Sequence, residues 1–89
     1  MIFKASETFW RHFYGLRPEQ KESTRRAWAI FKKDPFDARL RPHKIQRLSS
    51  ALGKIVFAVE IETDLRVTFY VEGDMVRTVD IGTHDIYKP

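Results

Sequence analysis

Leu65-Arg66-Val67-Thr68-Phe69-Tyr70-Val71 alternates apolar and polar residues, the pattern of a β-strand with one buried face. Leu65, Val67, Phe69 and Val71 share the apolar side, which leaves Arg66, Thr68 and Tyr70 as a polar row on the side expected to stay uncovered. Two similar runs flank it, Lys54 to Ile61 and Met75 to Ile81. They are joined through Glu62-Thr63-Asp64 and Glu72-Gly73-Asp74, short polar links of the hairpin kind. The three runs predict an antiparallel sheet in which Ile55, Phe57, Val59 and Ile61 join the apolar face. In the third strand Arg77 falls among Met75, Val79 and Ile81, a conflict that a bulge or a rim position would resolve. Gly82-Thr83-His84-Asp85-Ile86-Tyr87 follows, and these pairings bring His84 out beside Arg66. A histidine and an arginine at one end of a sheet suit holding and protonating a phosphate.

Upstream the period changes. Ile2 to Ala5 reads as a short edge strand. Ser6 is placed as an N-cap with Glu7 in the first turn, and Phe9, Trp10, Phe13, Tyr14 and Leu16 recur at helical spacing, so all five are expected in the core. Gly15 and Pro18 end that helix, and Pro18-Glu19 opens a second one expected to run to about Lys33, with Ala27, Trp28, Ile30 and Phe31 on its apolar side. The short link between them predicts a helical hairpin. The expected architecture is α+β: a β-α-α-β-β-β chain with the hairpin on one face of a small twisted antiparallel sheet, residues 1–89 forming a single domain.

Composition narrows the function classes. Eighty-nine residues at 43% hydrophobic and 13% aromatic suit one modest core. The absence of cysteine excludes disulfides and thiolate zinc sites and fits a cytoplasmic protein. No run approaches the roughly 20 apolar residues of a membrane span, and the N-terminus does not read as a signal peptide. Net charge is +4, but residues 1–47 carry twelve Lys/Arg against five Asp/Glu, while residues 48–89 carry four against seven. The basic excess is densest in Arg39-Leu40-Arg41-Pro42-His43-Lys44-Ile45-Gln46-Arg47. Such a segment attracts a polyanion, and Arg39, Arg41, Lys44 and Arg47 are the candidate RNA or phosphate contacts, each of which also reads as an ordinary solvated charge.

The order of parts, with Leu40-Arg41-Pro42-His43-Lys44-Ile45, Asp64-Leu65-Arg66-Val67-Thr68-Phe69-Tyr70 and Ile81-Gly82-Thr83-His84-Asp85-Ile86-Tyr87, resembles the RelE/ParE toxin superfamily over nearly the whole chain, nearest its YafQ/YoeB-like ribonuclease branch. That resemblance implies the toxin of a type II toxin-antitoxin system, a metal-independent endoribonuclease that cuts mRNA on the ribosome, with a cognate antitoxin as partner and no cofactor. It also implies roles: Arg66 at the strand position that meets the scissile phosphate, His84 as the histidine after the last strand, Tyr87 as the C-terminal aromatic, and His43 where YoeB-like toxins carry a glutamate base. Two departures stand out. Phe57 and Val59 occupy the strand where RelE proper has lysines, and His43 replaces the glutamate.

The chemistry implied is attack by the RNA's own 2′-hydroxyl, with His43 as base, His84 as acid, Arg66 stabilising the phosphate and Tyr87 stacking or orienting; the two histidine roles are interchangeable at this level. Structural readings stand beside these: Arg66 paired with Glu60 or Asp80, His43 as a loop residue, His84-Asp85 capping the strand, Tyr87 as a core aromatic. His12, between Phe9 and Tyr14, reads as structural, and Asp64 and Asp80 as turn and rim residues with no magnesium site expected. Two other functions compete: a ParE-like toxin that poisons DNA gyrase without nuclease chemistry, and an inactive RNA-binding or regulatory module of the same fold.

Overall fold

The computed structural model describes residues 1–88. Its elements are β1 (Ile2–Ala5), α1 (Glu7–Tyr14), α2 (Pro18–Phe31), the 3-10 helix η1 (Ala38–Leu40), β2 (His43–Lys44), α3 (Gln46–Leu52), β3 (Phe57–Glu62), β4 (Leu65–Glu72), β5 (Met75–Gly82) and the 3-10 helix η2 (His84–Tyr87). The sheet has five strands in the order β1-β5-β4-β3-β2. β1 runs parallel to β5 and every other pair is antiparallel, so the sheet is mixed, not the purely antiparallel one expected. The reason is length: a parallel neighbour needs a long crossover, and three α-helices and three strands separate β1 from β5.

The hairpin covers one face as predicted. Ser6 Oγ accepts from the Phe9 amide at 3.0 Å and donates to the Val79 carbonyl, so one hydroxyl caps α1 and ties it to β5. Phe9 and Phe13 from α1, Ala27 and Phe31 from α2, and Leu40 from η1 meet Val59, Leu65, Val67, Phe69, Val76 and Ile81 in the main core. Trp10 and Tyr14 do not join them. They stack on each other at 5.8 Å on the open side of α1, 45% and 68% exposed, because an eight-residue helix lying on a sheet buries only one stripe.

Two bulges tune the register. In β5 the pairing slips between Thr78↔Phe69 and Asp80↔Thr68, leaving Val79 unpaired and moving Ile81 onto the same face as Val76 and Thr78. Arg77 therefore points away from the core, opposite Tyr70. A second slip in β3 lies between Glu60 and Glu62. The β4–β5 turn is closed by Gly73 at φ +57.

The other face is not bare. Ile45 and Leu48 pack on Val56 and Ala58, with Tyr87 against them, as a second small core under α3. Ile55, expected to face the hairpin, is 58% exposed, while Val56 beside it is fully buried. β3 starts only at Phe57, so the alternation does not extend back to Ile55. Ser49 stitches this corner: its hydroxyl donates to the Ile45 carbonyl and accepts from the Val56 amide, both at 2.8 Å. Gly53 at φ +67 ends α3. No helix among the described residues is long and apolar enough to cross a membrane.

Candidate functional site

Arg66 lies in β4 on the face away from the hairpin, flanked in register by Glu60 of β3 and Gly82 of β5. Its side chain is only 11% exposed, and its guanidinium is held from three directions. Nη2 donates to the Thr63 carbonyl at 3.0 Å and stands 3.7 Å from a Glu60 carboxylate oxygen, while Nη1 donates to the Tyr87 hydroxyl at 3.3 Å. The Glu60 pairing anticipated as the structural alternative thus coexists with the contact to Tyr87. It offsets part of the cation's charge while fixing the fork.

η2 folds back across this face because Gly82 has no side chain. A Cβ there would come within 2.8 Å of Ile86 Cγ2. Thr83 starts the 3-10 helix, its Oγ1 accepting from the Asp85 amide at 3.3 Å. One turn later Tyr87 sits over Arg66, with the exposed His84 ring edge-on to its own at 5.4 Å and 84°.

His43 arrives from the opposite sheet edge. β2 pairs His43 with Ala58, and the imidazole meets the Tyr87 ring edge-on at 6.1 Å and 80°. Its Nδ1 lies 3.1 Å from the Arg41 carbonyl oxygen and its Nε2 lies 3.4 Å from the Tyr87 hydroxyl. A carbonyl can only accept, so Nδ1 is a protonated nitrogen, and Nε2 is the one that faces the phenol. Three residues far apart in the chain, 43, 66 and 84, therefore gather around one tyrosine.

The candidate phosphate contacts are placed less uniformly. Arg41, Lys44 and Arg47 are exposed along the segment that delivers His43. Arg39 is also exposed, but it is engaged: Nε and Nη2 make a two-pronged bond to Asp37 at 3.1 and 3.0 Å. That bond holds the Asp37 carboxyl below the ordinary carboxylate range and raises the Arg39 guanidinium further. His12 lies elsewhere, its Nδ1 2.6 Å from Asp80 Oδ1, joining α1 to β5 at the bulge. Among the described residues no three His, Asp or Glu side chains converge as metal ligands.

A well-formed hollow lies away from this site. It is an apolar groove of about 390 Å³ between α1, α2 and the sheet, lined by Phe9, Trp10, Phe13, Trp28 and Phe31. Its lining brings no acid and base groups together. The sequence reading missed α3 and the Gly82–Ile86 contact that hold the site together; Gly82 immediately before a polar turn was the available signal.

No protein-family model matches the sequence, and no curated protein matches it. Solved structures do. The chain is similar to a YoeB/ParE toxin from Agrobacterium tumefaciens (13% identity, TM-score 0.74, covering 94% of this chain and 99% of that one). It is similar to a chain of the archaeal RelE-RelB complex from Pyrococcus horikoshii (12%, 0.72, 92% of each). It is also similar to a chain of the Escherichia coli DinJ-YafQ complex (19%, 0.63, 94% and 93%). With a mixed five-stranded sheet and a helical hairpin on one face, the chain has the fold of the RelE/ParE toxins.

Proposed function

We propose that this chain is the toxin of a type II toxin-antitoxin pair and acts as a metal-independent endoribonuclease on mRNA at the ribosome. The observation that carries the proposal is the gathering of His43, Arg66 and His84 around Tyr87. His43 Nε2 takes the proton of the ribose 2′-hydroxyl, and the 2′-oxygen forms a bond to the adjacent phosphorus. The bond from phosphorus to the 5′-oxygen breaks, and His84 gives that oxygen its proton, leaving a 2′,3′-cyclic phosphate and a 5′-hydroxyl. Arg66, pre-set by Glu60 and Thr63, stabilises charge on the non-bridging oxygens. The 3.4 Å contact from Tyr87 to Nε2 is long enough to yield to the incoming ribose hydroxyl. Arg41, Lys44 and Arg47 bind the RNA backbone beside the site, with Arg39 contributing once it is released from Asp37.

An antitoxin partner fits the other face. The groove between α1 and α2 is apolar, lined in part by the exposed rings of Trp10 and Trp28, and the basic half of the chain supplies Arg25 to it. An acidic, partly disordered segment that folds on binding matches both features. Two of the similar structures are two-protein complexes by name, RelE-RelB and DinJ-YafQ.

Expression of the chain in a bacterial cytoplasm, with mapping of mRNA 5′ ends, tests the proposal. Growth arrest with new 5′-hydroxyl ends, relieved by His84→Ala combined with Arg66→Ala in a folded variant, is the expected result. Toxicity that persists in the double variant with DNA damage signalling overturns it in favour of a gyrase-directed toxin.

A further inference from the structure

Arg41 is the sole described residue other than glycine with a positive φ, at φ 52 and ψ 53. A side chain disfavours this left-handed conformation, and glycine would adopt it freely. The position is also followed by Pro42, which discourages the right-handed helical alternative. Arg41 closes η1, its amide donating to the Ala38 carbonyl at 3.1 Å. Its own carbonyl turns instead towards the His43 ring, where Nδ1 lies 3.1 Å away. The backbone of His43 is meanwhile pinned to Ala58, so backbone and ring are fixed independently.

We propose that Arg41 is a positioning residue for His43, acting through the direction of its backbone carbonyl and not through its exposed guanidinium. The left-handed turn delivers a pure acceptor to Nδ1. That acceptor holds the neutral imidazole as the Nδ1–H tautomer and leaves Nε2 as the basic atom facing the site. The strain at residue 41 is thereby tied to a function instead of being an incidental loop feature. The inference rests on the reading of His43 as the base, but the tautomer can be observed separately from catalysis.

The experiment is ring nitrogen NMR of His43 in the full chain, at a pH where the imidazole is neutral, for the wild type, Arg41→Gly and Arg41→Val. Both variants lose the guanidinium; only valine resists the left-handed turn. Wild type and Arg41→Gly are expected to show a protonated Nδ1, and Arg41→Val a shift of roughly half or more of the population to Nε2–H. In a cleavage assay kcat of Arg41→Val should fall about tenfold below that of Arg41→Gly, part of what a positioned base contributes. If Arg41→Val does not fold, Arg41→Ala takes its place, since a Cβ alone disfavours the turn. An Nε2–H ring in the wild type, or the same tautomer in the glycine variant and its valine or alanine counterpart, overturns the proposal. A tautomer that follows residue 41 in a chain without ribonuclease activity would leave the positioning role standing and remove the nuclease reading; cleavage with an indifferent tautomer would do the reverse.

Discussion

Arg66 Nη1 donates to the hydroxyl of Tyr87 at 3.3 Å, joining the middle of the sheet to the last turn of the described chain. The same hydroxyl faces His43 Nε2 and the same ring packs against His84, so the phenol links every group assigned to the chemistry. Tyr87→Phe removes this link while keeping the ring. Stability should fall by about 1 kcal/mol, the net worth of a hydrogen bond, while RNA cleavage falls roughly ten- to a hundredfold. A thermal melt beside a cleavage assay separates the two, and unchanged cleavage would remove Tyr87 from the site.

Gly82 and Ile86 meet too closely for a second methyl. Gly82→Ala should cost about 1–3 kcal/mol and displace η2, carrying His84 and Tyr87 with it. Combining it with Ile86→Ala opens the space, so the double variant should be less destabilised than the two single losses added together. Strict additivity in denaturant unfolding would show that η2 does not depend on this approach.

Leu48 is 5% exposed at the centre of the second core, one packing layer from the chemistry. Leu48→Ala should cost about 2–4 kcal/mol and loosen α3. Because Tyr87 rests on that cluster, NMR signals of the Tyr87 and His43 rings should shift although neither residue has changed. Unshifted rings would mean that α3 supports the fold without supporting the site.

Asp37 provides a pH test. The side-chain bond from Arg39, then the Arg39 amide, hold its carboxyl below the ordinary range in the folded protein. A carboxyl with a depressed folded pKa adds stability that is complete above its unfolded value and is lost as pH falls through the folded one. The melting temperature of the wild type should therefore drop more steeply than that of Asp37→Asn between about pH 5 and pH 2. The effect is small because the pair is exposed, and parallel curves would show that the bond is not maintained in solution.

Alternation and helical period were enough to expose the strands β4 and β5, the turn at Gly73, the Ser6 cap and the two-helix hairpin. These are local preferences, readable wherever one face of an element is apolar. Trp10 and Tyr14 show the limit: spacing identified the helix, but only its seat on β5 determined which aromatics were covered. α3 was hidden because seven residues with a single buried leucine carry little period, and the helix is held because Ser49 and Leu48 find partners at Val56, just before β3, and at Ala58 within it.

The sequence by itself determined the type of the two long N-terminal helices and of the strands that alternate, and put His43, Arg66, His84 and Tyr87 forward as candidates, since residue chemistry and periodicity are properties of the chain. Tertiary structure decided that β1 lies parallel to β5, that the second face is closed by α3, and that His43 crosses from the far edge to meet Tyr87. The first and last of these depend on contacts between residues 44 or more positions apart, and the seat of α3 on Val56 and Ala58 depends on packing across a turn, which no local preference encodes.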